Sequence, residues 1–433
     1  MKISQDKENY KISEEDCLNF STVPPIAMMI TCPLFSKLCD IIGRKPVFLL
    51  SAIPQLQAWL IKAIAKDLHH FYIARTLVGI GDGILLACTP MYIGEIASPN
   101  IRGTWGIAPV LCLYVGELMI TILGSYLSIE ITSFVCAPLP ILFVLSFSFM
   151  PESPYYLVIA GREEAAKASL RKFTGKQDIE EDYLEIKGSI SRQMSEESTW
   201  KALFVINSSR RALAAGVFLR VSQMLGGATV FINYTQYIFL KSGGNVSPEV
   251  SSIIYMALWL FFSLGMTNFV EGFGRRRAYM VSLGSCSVVL LLESIYFYID
   301  PTSFKWFPLV GMVFYIIFAS FGLATIPALM TGELFSASIK AKAVSLLIIV
   351  FGLMSFLSCK VFSFLNSKFG FYVPFLFFSC CTLVSTLLAY YILPETKGKT
   401  LEEVQLCLEL GTRKGMEKEH LFDIKEIDFV NRN

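Results

Sequence analysis

Apolar residues run along this chain in blocks of about 20, long enough as helix to cross roughly 30 Å of hydrocarbon, and short charged joints cut the blocks apart. The blocks fall at 17–38, 47–65, 71–94, 104–126, 130–150, 211–240, 250–270, 278–298, 306–334, 343–366 and 370–393, which predicts eleven membrane-spanning helices. Between the fifth and sixth lies a polar stretch in which GREEAAKASLRKF sets alanines and charges on opposing faces, predicting an amphipathic helix outside the bilayer. The predicted division is a polar start (1–16), a bundle of five spans (17–150), a linker with helices (151–210), a bundle of six spans (211–393) and a polar tail (394–433).

Composition agrees with that pattern. Of 433 residues, 54% are hydrophobic and only 17% charged, too little polar surface to clothe a soluble protein of this size. The net charge of +2 says little, whereas its placement says more. Basic residues gather at joints 37–46, 96–103, 271–278 and 336–342 and in the linker, while the alternate joints hold about one each: Lys66, Lys241, Lys305 and Lys368. By the positive-inside rule the first set faces the cytoplasm and the polar start lies outside. That start lacks the basic opening, apolar core and small-residue site of a cleaved signal, so the spans themselves are expected to direct insertion into the membrane. Eleven cysteines scatter without metal-ligand spacing. With three histidines and no Ser/His/Asp or Cys/His set, neither an enzyme nor a cofactor or metal site is expected. The partners expected are a small solute and lipid, with no nucleic acid.

The charged joints repeat. In the first half DIIGRK (Asp40, Gly43, Arg44) is followed by PMYIGEIASPNIRG (Glu95, Arg102) and then by PESPYYL. In the second, EGFGRR (Glu271, Gly274, Arg275) is followed by IPALMTGELFSASIKAK (Glu333, Lys340) and then by PETKGKTLEE. Each set reads Gly-Arg joint, helix-end acid with a base seven residues on, and Pro-Glu-Ser/Thr exit, as two duplicated bundles would. Ahead of the joint the second half has two spans and the first only one, so the first half is expected to lack its first helix. Glycine permits the tight reversal, and the base after it sits one helical turn from an acid.

Taken in order, DIIGRK, RTLVGIGDG, PMYIGEIASPNIRG, PESPYYL, EGFGRR and PETKGKTLEEV resemble the sugar porter branch of the major facilitator superfamily over about residues 15–405. KPVFLLSAIPQLQAWLI and NYTQYIF are more locally similar to insect facilitated trehalose and glucose transporters. The resemblance implies an all-α membrane fold of two pseudo-symmetric bundles, here with eleven helices, and a solute site open alternately to either side. It also implies that Asp40, Gly43, Arg44, Glu95 and Arg102 form a cytoplasmic ion-pair cluster, with Glu271, Gly274, Arg275, Glu333 and Lys340 as its counterpart. Such pairs bias a two-state equilibrium, in which about 1.4 kcal/mol shifts a ratio tenfold. The other reading makes them topology-setting bases with solvated partners.

The family's sugar-binding amides are largely replaced. Its Gln-Gln-x-Ser-Gly-x-Asn helix reads QMLGGAT, which keeps Gln223 and Gly227 and puts Thr229 at the Asn position; the Pro-x-Pro-Trp of a later helix keeps only Pro327. Those four residues are the expected solute contacts. Three charges sit instead inside spans, Asp82, Glu117 and Arg220. An intramembrane charge costs about 2.5–3.5 kcal/mol and needs a partner, water or a role. They form a possible ion or charged-solute site, or are structural pairs. Asn245-Val-Ser is a candidate N-glycosylation site on an outer loop. Facilitative carriage of a sugar such as trehalose or glucose is the leading expectation, beside a non-transporting relic and a proton-linked carrier of another solute.

Overall fold

Single glycines reverse the chain at both Gly-Arg joints, so the arginine that follows begins the next helix instead of sitting in a loop. Gly43 has φ 104° and Gly274 φ 93°, backbone that a side chain would strain. The computed structural model describes residues 16, 19–97, 102–176, 178–195, 200–244, 246–299, 304–335, 337–397, 399 and 401–410. Among them every regular element is helical. In the first half these are α1 (Val23–Ile42), α2 (Arg44–Leu50), α3 (Ala52–Ile64), α4 (Leu68–Ile96), α5 (Arg102–Tyr126), α6 (Ile129–Cys136) and α7 (Pro138–Phe147). The linker holds α8 (Pro154–Ile159), α9 (Glu163–Thr174), α10 (Glu180–Ser195) and α11 (Trp200–Val205). The second half has α12 (Asn207–Leu225), α13 (Ala228–Asn233), α14 (Thr235–Ser242), α15 (Pro248–Phe273), α16 (Arg275–Ile299), α17 (Phe307–Phe318), a π-turn (Ala319–Leu323), α18 (Ile326–Glu333), α19 (Ala337–Phe369), α20 (Tyr372–Ile392) and α21 (Leu401–Leu410).

Eleven stretches among the described residues are long and apolar enough to span a membrane, one for each predicted block. Their exposed faces are apolar, with Leu34, Ile64, Leu142, Phe261 and Leu387 each more than half exposed, as lipid-facing positions are. The boundaries shift for local reasons. The first block, predicted to end at 38, continues to Ile42 because nothing between Leu38 and Gly43 breaks a helix. Within the predicted 211–240 block the span runs Asn207–Asn233, and Gly226 and Gly227 (φ 85°) interrupt its helix after Leu225 before α13 resumes.

The chain forms two compact units. The first comprises Met1–Glu196 with Thr229–Leu260 and Ser355–Phe364; the second comprises Glu197–Ala228, Phe261–Met354 and Leu365–Asn433. The glycine pair at 226–227 thus marks where one span passes from the second unit to the first.

In the first unit α1 lies directly on α4. Glycines on α4 let the backbones meet: a Cβ on Gly79 would run into the Pro24 backbone, and one on Gly83 would come within 2.9 Å of the Thr31 side chain. Toward the joint, Cys39, Val47, Phe48, Ile84, Cys88 and Tyr92 form a core cluster, each large apolar side chain contributing about 1.5–3 kcal/mol. The linker helices close a small core of their own from Tyr156, Leu157, Ala166, Leu170, Ile179 and Tyr183. Beside it, hydrogen bonds from Lys167 to Glu180 and Glu163 push that ammonium up to about 12. In the second unit Gly322, in the π-turn, lets α16 approach so closely that a Cβ there would stand 2.7 Å from that of Ser282.

Candidate functional site

The question raised by the two Gly-Arg joints is where their charges go. At the first, the Arg44 side chain is only 5% exposed, and its guanidinium forks onto Glu95 with Nη2 at 2.7 Å and Nε at 3.0 Å from the two oxygens. Nη1 reaches Asp40 at 3.2 Å and donates to the Cys39 carbonyl at 3.1 Å. The Tyr156 ring stacks beneath, 5.5 Å from the guanidinium carbon. A bidentate, charge-assisted pair out of water is the strong kind of ion pair, provided every group is satisfied.

Two residues of the PESPYYL exit complete this clasp, and neither was singled out from the sequence. Glu152 accepts the backbone N–H of Arg44 at 3.1 Å and of Lys45 at 3.1 Å, so a carboxylate caps the positive end of α2. Ser153 caps α8 by accepting the Tyr156 N–H, and its hydroxyl donates to the Glu95 carboxylate. The second half repeats the device. Glu395 accepts from the N–H groups of Arg275 at 2.9 Å and Arg276 at 3.2 Å, and Thr396 donates to Glu333 at 2.5 Å. Here the ion pair is looser: Arg275 holds Glu333 through Nη2 alone at 3.4 Å, and its Nε has no acceptor among the described residues. Lys340 donates to the Gly332 carbonyl at 2.9 Å. The side chains of Arg102 and Glu271, and all of Asn245, lie outside the described residues. Each clasp ties a joint, a helix end and the chain leaving the last span of one half, all within a single unit.

Of the four expected solute contacts, Gln223, Gly227 and Pro327 belong to the second unit and Thr229 to the first. Gln223 is buried and engaged by protein, accepting from Arg220 Nη1 at 3.1 Å and donating to the Ala324 carbonyl at 3.3 Å. Pro327 opens α18 just beyond, behind the π-turn. Gly227 is the bend after α12, and Thr229 belongs to the first unit. Arg220 also packs over the Phe351 ring at 5.5 Å, so its neighbours are residues of the second unit, whereas Asp82 and Glu117 belong to the first.

A cavity of about 720 Å³ opens inside the first unit, between α3, α4, α5, α6 and the segments carrying Asn233 and Ser252. No residue of α5 from Ala108 to Tyr126 is fully buried, which leaves its face free to form one wall. The lining joins an indole (Trp59), amides (Gln55, Asn233, Gln236), hydroxyls (Thr121, Ser125, Ser133) and charges (Lys62, Arg75, Glu117). Asp82 stands just behind, its carboxylate accepting from Gln55 Nε2 at 3.0 Å. Of these, the sequence reading named only Asp82 and Glu117, although Lys62 and Arg75 are charges inside apolar blocks and answer the same test. That criterion also finds Glu293 on α16, fully buried, neither of its carboxylate oxygens hydrogen-bonded among the described residues, lying where a side chain on Gly311 would be. Among the described residues no group of His, Cys, Asp and Glu could hold a metal ion.

Comparison with known proteins adds three findings. The family described as "Sugar (and other) transporter" matches residues 2–408. The facilitated trehalose transporter Tret1 of Polypedilum vanderplanki is 28% identical over 407 residues, covering 92% of this chain and 80% of that protein; that of Bombyx mori is 29% identical over 411 residues, covering 93% and 81%. The partially occluded inward open structure of the Escherichia coli xylose transporter XylE superposes with a TM-score of 0.77 at 21% identity, over 90% of this chain and 91% of that one. The fold is therefore that of the major facilitator superfamily, and the protein crosses the membrane many times. With the match running over nearly its whole length, the chain belongs to the sugar (and other) transporter family.

Proposed function

We propose that the protein carries a small carbohydrate down its gradient across the plasma membrane by alternating access, as a carrier and not an enzyme, with the cavity of the first unit as its solute site. The observation that carries this reading is the cavity's lining: an indole to stack on the apolar face of a sugar ring, amides and hydroxyls to pair with its hydroxyls, and room for a mono- or disaccharide. Trehalose is the first candidate, because the relatives from Polypedilum and Bombyx are named for it. The clasps hold the helix ends of each unit in register, so that rocking can proceed without fraying of those ends.

Uptake of radiolabelled trehalose, glucose and xylose into liposomes holding the purified chain tests the proposal. Saturable uptake of at least one, lowered about tenfold or more by Trp59→Ala, is the expected result; no uptake of any above protein-free liposomes overturns it and leaves the relic reading. Proton-linked carriage is the second reading, favoured by Glu117 in the cavity wall, whose Oε2 has no hydrogen-bond partner among the described residues. Uptake unmoved by an imposed pH gradient and by Asp82→Asn excludes it.

A further inference from the structure

We propose that the cavity of the first unit is built for a sugar acid, a polyhydroxylated solute bearing a carboxylate; the proposal rests on the reading of that cavity as the solute site. Its charges fall into two groups. Lys62 on α3, Arg75 and Asp82 on α4 act on one another electrostatically. The Asp82 carboxylate is already engaged by the Gln55 amide at 3.0 Å. The Lys62 ammonium rests on the Trp59 ring, 4.2 Å from its centroid, and no carboxylate lies within ion-pair distance of it among the described residues. An ammonium offers three donors and no acceptor, and inside a membrane protein it calls for an anion.

Glu117, across on α5, stands apart: among the described residues no charged group acts on it, and its Oε2 has no hydrogen-bond partner. A carboxylate there accepts from hydroxyls and repels an anion. The cavity therefore asks for an acceptor-rich, negatively charged end beside Lys62, a C–H face over Trp59, and donating hydroxyls toward Glu117. A uronate or aldonate has all three. A neutral hexose leaves Lys62 with uncharged acceptors alone, and an amino sugar brings a second cation to it.

The full chain in lipid nanodiscs is titrated with radiolabelled glucuronate and glucose, each in competition with the other, and the same pair is followed in liposome counterflow. Expected are saturable glucuronate binding that displaces glucose, weakening as salt rises, and a loss of about tenfold in glucuronate affinity for Lys62→Gln, with glucose changed far less and Lys62→Arg retaining most of it. Glucose binding without competition by glucuronate, or equal losses for both solutes in Lys62→Gln, overturns the sugar-acid inference and leaves carbohydrate carriage standing. Binding of neither overturns both. Should Lys62→Gln fail to fold, judged by its elution on size exclusion, competition on the unmodified chain decides alone.

Discussion

A single residue, Glu95, takes both the Arg44 fork and the Ser153 hydroxyl in the first clasp. It holds a guanidinium that is 95% out of solvent, whereas Asp40, on the same guanidinium, is 62% exposed. Removing one partner of a buried pair strands the other charge, at a cost of about 3–5 kcal/mol, while an exposed pair is worth about 0–1 kcal/mol. Glu95→Gln is therefore expected to lower the melting temperature of the detergent-solubilised protein markedly, and Asp40→Asn to leave it almost unchanged. Glu333→Gln should fall between them, because Arg275 makes a single 3.4 Å contact in a more open setting. Equal effects from Glu95→Gln and Asp40→Asn would show that burial does not set the strength of the clasp. Gly311 gives a second residue-level test. A methyl there would overlap the Glu293 carboxylate, so Gly311→Ala should destabilise by about 1–3 kcal/mol, and Glu293→Ala in the same chain should restore part of the loss. No restoration in that double variant would mean that something other than Glu293 occupies the space.

At the scale of elements, α2 and α16 begin without a capping side chain of their own, and their first N–H groups are met by Glu152 and Glu395 instead. Loss of such a cap costs about 1 kcal/mol. Glu152→Ala should thus speed hydrogen exchange at the amides of Arg44 and Lys45 more than at Val47, which accepts protection from helix closure alone; uniform exchange across α2 would remove the capping role. The eleven spans were legible because a block of about 20 apolar residues has one reading in a bilayer, and both Gly-Arg reversals were legible because a positive φ selects glycine. The caps were not. Glu152 lies 108 residues beyond Arg44, and nothing in PES or PET says which helix start those carboxylates will meet. The solute cavity of the first unit was not legible for a different reason. Gln223 was named from the family resemblance, and its bond from Arg220, one turn earlier, could not be read from that motif. Lys62 and Arg75 were readable and overlooked, hidden by apolar surroundings that make a cation more informative, not less.

For the molecule as a whole, the bundles drawn from sequence at 17–150 and 211–393 are continuous in the chain, whereas the compact units are not. Thr229–Leu260 and Ser355–Phe364 come from the second half and pack with Met1–Glu196. Lys360 donates to Asn19 at 2.7 Å, and Tyr234 stacks on Phe362 with 4.9 Å between ring centroids, both inside the first unit. This interleaving has a practical result for limited digestion. The reversals at Gly43 and Gly274 offer trypsin no loop, so the exposed basic residues of α9 and of the turn after it, Arg171, Lys172 and Lys176, are where nicking should begin. The two fragments released by such a cut should nonetheless migrate together in mild detergent and separate only in denaturant, because the later fragment supplies helices that the earlier one needs to bury its own apolar faces.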